Sequence, residues 1–568
     1  MDLSRVTTLN SSDDWIDIEN HFKLFAGPGA GKTRFLVNHI NNIITNSARL
    51  KRVRKIACIT YTNTGVNTIL SRIENAIDHV EVCTIHSFLY KNVLKPYLWV
   101  LKDIFQIPLS EIDGHDEIIP RYSILSEWKK NTSQNYIKDD NQLKKDLMGL
   151  RWTLKDDNSC ELKLKYPSIL RIKKKSLIEY KKECWKNALI SHDDVLYLSF
   201  EILKKEDRVL DILRAKFPYI LIDEFQDTSP IQSEIIKMIG KKETIVGVIG
   251  DVGQSIFSFQ GADCQKFIDF HLDQMKLYKI ENNHRSTEQI VKVLNHVRNQ
   301  KGFEQISIKK KQGSVPKIIV GNFFDAYNKV CELTQSNKIC TLSYRNDISN
   351  IMKSGIENYF SGVDVNEPIF SDSTGNRGWI ITYTITAIEY CLQNKIKDAI
   401  KFMKKAYRKS DGFSDKEALE NLKRLVNNYD KFKDGNVKEL YNSYIFNHYN
   451  IRSKISRGTI NDYYEKLKYQ SIAINVKIND DDSLNRTIHK AKGDEFANVL
   501  VIIPKENGVF NEEKSLKFLL KPSIDDEENR VYYVALSRAQ ENLFINVPTL
   551  SQENKKIIEK IGFEVLLL

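Results

Sequence analysis

Proline and glycine are scarce: 12 Pro and 24 Gly in 568 residues, too few for a collagen-like or low-complexity chain. No stretch approaches ~18 uninterrupted apolar residues, so no membrane span is expected. The start, MDLSRVTTLNSSDDW, lacks a basic segment followed by an apolar one, and no secretory leader is expected either. Cysteines are few and scattered: none of Cys58, Cys83, Cys160, Cys184, Cys264, Cys331, Cys340 and Cys391 forms a CxxC pair, which argues against a zinc or iron–sulfur site and for reduced thiols. Glutamine is missing from everything before Gln106. A soluble, cytoplasmic protein is the expectation.

What is present is ordinary globular composition, with 41% hydrophobic and 28% charged residues, at a length that suggests about four domains. Lys plus Arg number 85 against 74 Asp plus Glu, a net +11, which permits a polyanionic partner without proving one. Short apolar runs recur: KIACITYT from Lys55, VEVCTIHS from Val80, YILIDE from Tyr219, TIVGVIGD from Thr244, KICTLSYR from Lys338 and NVLVIIP from Asn498. Their length and β-branching predict buried parallel strands. Helix-like stretches such as SEIIKMIGKK and TEQIVKVLNHVRNQ lie between them, so the fold class is α/β with doubly wound sheets. Two stretches break the rhythm. Residues 89–185 are Lys-rich, hold Trp99, Trp128, Trp152 and Trp185, and show no clear strand series; residues 347–471 hold one proline, Pro368, and long polar helical runs. Both read as helical insertions, and the run Asp480, Asp481, Asp482 as a solvated linker.

The strongest local signal is AGPGAGKT, Ala26 to Thr33, after the apolar FKLF and before RFLVNHINNII. It fits GxxxxGK[ST] with Ala26 in the first glycine slot. Gly27, Gly29 and Gly31 let successive backbone N–H groups wrap a phosphate at a helix N-terminus, while Lys32 reaches the β and γ phosphates and Thr33 holds Mg²⁺. YILIDEFQD delivers Asp223 and Glu224 to the carboxyl end of a buried strand, the first for the metal and the second for the attacking water. Gln254 follows the next strand, where an amide can orient water or sense the γ phosphate. Arg285 and Arg538 are candidate cations for the developing charge.

Taken in order, AGPGAGKT, CITYTNTGVNTILSRI, CTIHSF, ILIDEFQDTSPIQ, VIGDVGQSIFSFQGAD, LYKIENNHRSTEQI, TIHKAKGDEFANVLVI and ENRVYYVALSRAQENLFI resemble the motif series of the UvrD/Rep/PcrA family of superfamily 1 DNA helicases. The resemblance implies two RecA-like motor domains, each interrupted by a mainly helical insertion: residues 1–88 with 186–274, insertion 89–185, residues 275–346 with 472–568, and a reduced insertion 347–471. It implies ATP and Mg²⁺ as cofactors, Arg285 and Arg538 as arginine fingers from the second motor, and Gly493 and Glu495 at the nucleotide's phosphate and ribose. It implies a single-stranded DNA track over Thr62, Asn63, His86, Phe88, Phe257, Phe259 and His489. At period-two spacing either Phe257 or Phe259 belongs to the core while the other stacks. The runs Lys173 to Lys175, Lys181 with Lys182, and Lys309 to Lys311 extend the track or are solvated faces.

The chain departs from the family in lacking the upstream adenine-reading glutamine, and in carrying His284 where a base-stacking tyrosine is usual, Gln260 for arginine and Asp494 for leucine. Relaxed adenine selectivity is the expectation. The expected activity is ATP-driven translocation and unwinding on single-stranded or tailed duplex DNA, of 3′ to 5′ polarity. The alternative is a nucleotide-gated DNA-binding subunit that regulates a nuclease and unwinds little itself. An RNA helicase is disfavoured by TYTN, TIHSF and DEFQD. In its short plan, with about 20 residues after the last motif, the chain also resembles the GajB-type helicase subunits of Gabija antiphage systems, which work with an OLD-family nuclease.

Overall fold

The computed structural model describes residues 2–73, 78–108, 111, 112, 114–116, 118, 120–308, 312–354, 367–372, 376–407, 413–448, 453–478, 483–506 and 508–568. In chain order its strands are β1 (Thr7–Thr8), β2 (Phe22–Ala26), β3 (Ile56–Thr60), β4 (Val80–Thr84), β5 (Leu150–Leu154), β6 (Cys160–Leu164), β7 (Tyr219–Ile222), β8 (Ile245–Gly250), β9 (Lys276–Ile280), β10 (Asn282–Asn283), β11 (Ile306–Ser307), β12 (Lys317–Val320), β13 (Ile339–Ser343), β14 (Asn485–Thr487), β15 (Phe496–Ile502), β16 (Ala539–Val547) and β17 (Glu564–Leu567).

Two parallel sheets organise the molecule. The first has the order β1-β9-β2-β8-β7-β3-β4, and its central strands β2, β3, β7 and β8 are buried at every residue. That is why they read as unbroken apolar runs rather than alternating ones. One face packs on Phe35, Leu36, Ile40 and Ile43 of the helix Lys32–Asn46; the other carries Val195, Leu198 and Ile202 of helix His192–Lys205 and Ile235 and Ile239 of helix Pro230–Gly240. The second sheet runs β14-β13-β15-β16-β12-β17. Ile290, Val293, Leu294 and Val297 of helix Glu288–Arg298 and Val531, Val534 and Leu536 of helix Glu527–Leu536 fill one side of it. Ile256 and Phe257, in the loop after β8, bury themselves in this second core, so the segment leaving the first sheet is anchored in the second.

Three expectations are corrected. The stretch 89–185 is not wholly helical: β5 and β6 form an antiparallel hairpin pairing Trp152 with Leu162, closed by a turn with Asn158 at φ 58°. The first motor unit does not stop at 274, because β9 pairs with β1 and β2 inside the first sheet. The second insertion begins and ends later than 347–471. Helix Asn346–Ser354 packs on β13 and β14, whereas helix Tyr469–Ile478 packs on helix Arg377–Leu392 of the insertion.

The insertions meet: Lys405 pairs with Asp116 at 3.0 Å, and helix Glu367–Ser371 packs against helix Asp140–Met148. All eight cysteines are free. Among the described residues no helix is long and apolar enough to cross a membrane. The runs Lys309 to Lys311 and Asp480 to Asp482 lie outside the described residues.

Candidate active site

The glycine-rich loop leaves β2 at Ala26, which is fully buried as the strand's last residue, and turns into helix Lys32–Asn46. The turn needs left-handed backbone at Gly29 (φ 70°) and Gly31 (φ 81°), where a side chain would be strained. A Cβ on Gly29 would also strike Asn283 and Arg285, and one on Gly27 would strike Gln305, so the loop is held by residues beyond the first motor's strands. The Lys32 ammonium bends back to the Ala26 carbonyl at 3.3 Å. Thr33 follows it, half-buried at the helix start.

Asp223 and Glu224 end β7 beside this loop. The Asp223 amide donates to the Ile59 carbonyl at 2.8 Å, continuing the sheet, while Glu224 sits in left-handed backbone at φ 55°, ψ 39°, a conformation that costs a non-glycine residue of order 1–3 kcal/mol and clusters at functional sites. Burial and the Glu224 charge raise the Asp223 carboxyl well above the usual range. Burial pushes Glu224 the same way, but Lys32 and Lys492 outweigh it and hold Glu224 ionised. A buried carboxylate whose own surroundings disfavour its charge is an oxygen donor that suits a divalent cation such as Mg²⁺. Among the described residues no cluster of three or more His, Cys, Asp or Glu could hold a metal unaided.

The opposite wall comes from the second sheet. Arg538, 1% exposed, donates to the Gln254 side-chain oxygen at 3.0 Å and to the Asp494 carbonyl at 3.2 Å. Burial, helped by the neighbouring Arg285, brings its guanidinium down to about 9. Arg285 donates to the Ser537 carbonyl at 2.9 Å and pairs with Glu495 at 2.8 Å; its Nε is buried without a partner. The His284 amide donates to the Gly29 carbonyl at 2.9 Å. Gly493 takes φ 96° with open space where a Cβ would stand. Every residue predicted for the nucleotide site thus falls on this cleft or in the loops bordering it. Missed were Gln226, fully buried and donating to Glu224, and Lys492, which crosses to Asp227 and to the Gln254 carbonyl. Both lie inside quoted motifs, but nothing in their spacing separates them from solvated neighbours. Two departures have partners: Asp494 accepts from Arg486 at 2.7 Å, and Gln260 accepts from the Tyr61 hydroxyl at 2.8 Å.

On the adjoining face Thr62 and Asn63 are exposed at the start of helix Asn63–Leu70, with the Thr62 hydroxyl capping the Gly65 amide. Phe259 is 42% exposed, 5.1 Å edge-on to His489, and Lys165 from beyond β6 reaches its ring at 5.2 Å. Phe257 is the core member of the pair: it is 9% exposed and stacks on Tyr61 at 5.2 Å. Tyr344, 47% exposed and 5.9 Å from His489, extends the aromatic surface and was missed. Phe88 is a correction: it is fully buried in the first core, 5.2 Å from Phe217, so it touches no strand of nucleic acid. His86 is half-buried among His115 and His192, and burial with those two imidazoles lowers it to about 3. Lys181 is corrected as well, being locked in a buried pair with Asp194 at 3.0 Å. Lys182 pairs with Glu179, and Lys173 to Lys175 are exposed.

Residues 14–275 match the UvrD/REP helicase N-terminal domain family and residues 322–549 the UvrD-like helicase C-terminal domain family. The chain is 27% identical over 315 residues to the ATP-dependent DNA helicase Rep of Buchnera aphidicola subsp. Schizaphis graminum, covering 52% of this chain and 45% of that protein. It is 27% identical over 290 residues to the ATP-dependent DNA helicase PcrA of Bacillus subtilis, covering 48% and 37%, and 28% identical over 312 residues to DNA helicase II of Rickettsia typhi, covering 51% and 44%. The match spans less than half the length of each of these relatives.

Proposed function

Since this chain belongs to the UvrD-like family of superfamily 1 helicases, we propose that it is an ATP-driven DNA translocase and helicase moving 3′ to 5′ on single-stranded DNA. The observation that carries the reading is the cleft itself: Arg538 from one motor grips Gln254 from the other at 3.0 Å, and Lys492 crosses to Asp227 beside Glu224. Charge developing on a γ phosphate there would meet Lys32, Arg285 and Arg538. Thr33 and Asp223 would hold Mg²⁺, which supplies charge neutralisation on the phosphates. Glu224 accepts a hydrogen bond from the attacking water and Gln254 orients it. Each hydrolysis cycle moves the cleft walls, and Thr62, Asn63, Phe259 and His489 pass the strand along.

Base selectivity is relaxed in this reading. Ser12 packs beside Gly31, and Asp13 is committed to Arg34 at 2.6 Å and Asn38 at 2.8 Å, with no glutamine amide before the loop to read adenine. In its cellular role we propose an accessory or antiphage helicase partnered with an OLD-family nuclease, on its resemblance in plan to such subunits. Purified protein would be assayed for nucleotide hydrolysis with and without single-stranded DNA across four nucleotides, and on duplexes with 3′ or 5′ tails. Glu224→Gln should abolish turnover while retaining nucleotide binding. DNA-independent hydrolysis with no tailed duplex opened would leave the regulatory-subunit alternative standing, and strict ATP preference would refute relaxed selectivity. Co-purification with the nuclease, and loss of phage protection in Lys32→Ala cells, test the role.

A further inference from the structure

A buried polar chain runs from the phosphate loop to the Gln254 loop through Gln305, Tyr533 and Arg298, residues with no role in the chemistry above. The Gln305 side-chain amide donates to the Pro28 carbonyl at 2.9 Å and fills the space where a Cβ on Gly27 would stand. Its backbone is fixed by a reciprocal pair with Asn295, whose side chain accepts from the Gln305 amide and donates to its carbonyl, both at 2.9 Å. Asn295 belongs to helix Glu288–Arg298, which packs in the second core. The Tyr533 hydroxyl faces the Gln305 oxygen at 3.5 Å and accepts from Arg298 at 3.1 Å. Arg298, 2% exposed and lying 3.9 Å over the Phe303 ring, donates to Asp251 at 2.7 Å. The other Asp251 oxygen accepts from Gln254 at 2.7 Å, its amide donates to Gln226 at 3.0 Å, and Gln226 donates to Glu224.

We propose that Gln305, Tyr533 and Arg298 are positioning residues that transmit movement of the second motor to the phosphate loop and to Gln254 together. This deepens the hydrolytic reading of the cleft and rests on it. Gln305, Tyr533, Arg298, Asp251 and Gln226 are each at most 3% exposed, so water cannot replace a broken link, and an unpartnered buried polar group is costly. The second motor therefore cannot shift without either carrying Pro28 and Asp251 with it or breaking both contacts at once. Such a linked set has discrete arrangements rather than a continuum. Gly253 leaves room for this: a Cβ there would meet Tyr533 at 3.0 Å and Arg298 at 3.3 Å.

The test compares Gln305→Met, Tyr533→Phe and the double variant with the parent and with Glu224→Gln. Measured are kcat and KM for ATP with saturating single-stranded DNA, DNA affinity and melting temperature. Each single change should lower DNA-stimulated kcat by about tenfold, the worth of one buried hydrogen bond, with DNA affinity nearly unchanged and melting temperature lowered by no more than about 2 °C. The double variant should be no worse than the weaker single, because the links act in series. A kcat within twofold of the parent in either single, or losses that multiply in the double, overturns the proposal. Should Tyr533→Phe fail to fold, Gln305→Met decides alone. If Glu224→Gln hydrolyses as fast as the parent, the reading of the cleft fails and takes this with it. If Glu224→Gln is dead and Gln305→Met is normal, only the relay is wrong.

Discussion

Two phenylalanines from the motif series have opposite fates, and their substitution should separate them. Phe88 is fully buried against Phe217, so Phe88→Ala should cost about 3–5 kcal/mol in urea unfolding. Phe259 is 42% exposed; Phe259→Ala should leave unfolding nearly unchanged and weaken single-stranded DNA binding by about 1–3 kcal/mol in an anisotropy titration. An unaltered DNA affinity would remove Phe259 from the track. A second residue-scale effect is acid sensitivity. His39 on the helix behind the phosphate loop lies between Phe22 and Phe35, with ring centroids at 4.9 and 5.8 Å, and burial lowers it to about 4. Its folded value is below its unfolded one, so its contribution is present above pH ~6.5 and is lost as pH falls toward 4, amounting to about 3 kcal/mol. The stability difference between pH 7 and pH 4.5 should shrink by most of that amount in His39→Leu; an equally steep loss would show that other groups carry it.

At the scale of elements, the β5–β6 hairpin is tied to the first motor by a polar anchor. Trp152 stacks on Tyr197 at 3.5 Å and donates to Asp194 at 3.0 Å. Asp194 also accepts from the Ser191 amide at 2.9 Å and pairs with Lys181, where the side chains are 0% and 5% exposed. Lys181→Met strands the Asp194 charge and should destabilise the protein by about 3–5 kcal/mol, with no change in the salt dependence of DNA binding; a reduced salt slope would return Lys181 to the track. The parallel strands are legible in the sequence because burial on both faces leaves unbroken apolar runs, as in IACIT and YILI. LRWTL and CELKL do carry the period-two alternation of a hairpin around a DDNS turn, but within a lysine-rich stretch that signal is easily read as an amphipathic helix. Lys32, Asp223 and Arg538 are legible through motif order. Gln305 and Arg298 are not, since their meaning lies in contacts 277 and 47 residues away in the chain, and no local pattern records such a distance.

At the scale of the whole molecule the two motors are joined by buried contacts rather than by a loose hinge. Arg530 donates to the Ser255 carbonyl at 2.8 Å, Arg298 to Asp251 at 2.7 Å, and Ile256 and Phe257 sit in the second motor's core. A domain pair sharing a core segment and buried ion pairs should unfold together, since separating the motors would expose both. Nucleotide gripped by both walls should then raise one common transition. At 100-fold excess over its dissociation constant a ligand adds about 2.7 kcal/mol. Against an unfolding entropy of roughly 2.1 cal/mol/K per residue, that is a shift of about 2 °C for a chain of this length. Calorimetry of Glu224→Gln with Mg²⁺ and ATP should show a single endotherm moved by that amount, and Arg285→Ala with Arg538→Ala should lose most of the shift because the second wall no longer touches the phosphates. Two endotherms, with only one responding to nucleotide, would mean that the motors are energetically independent and that the cleft contacts do not couple them.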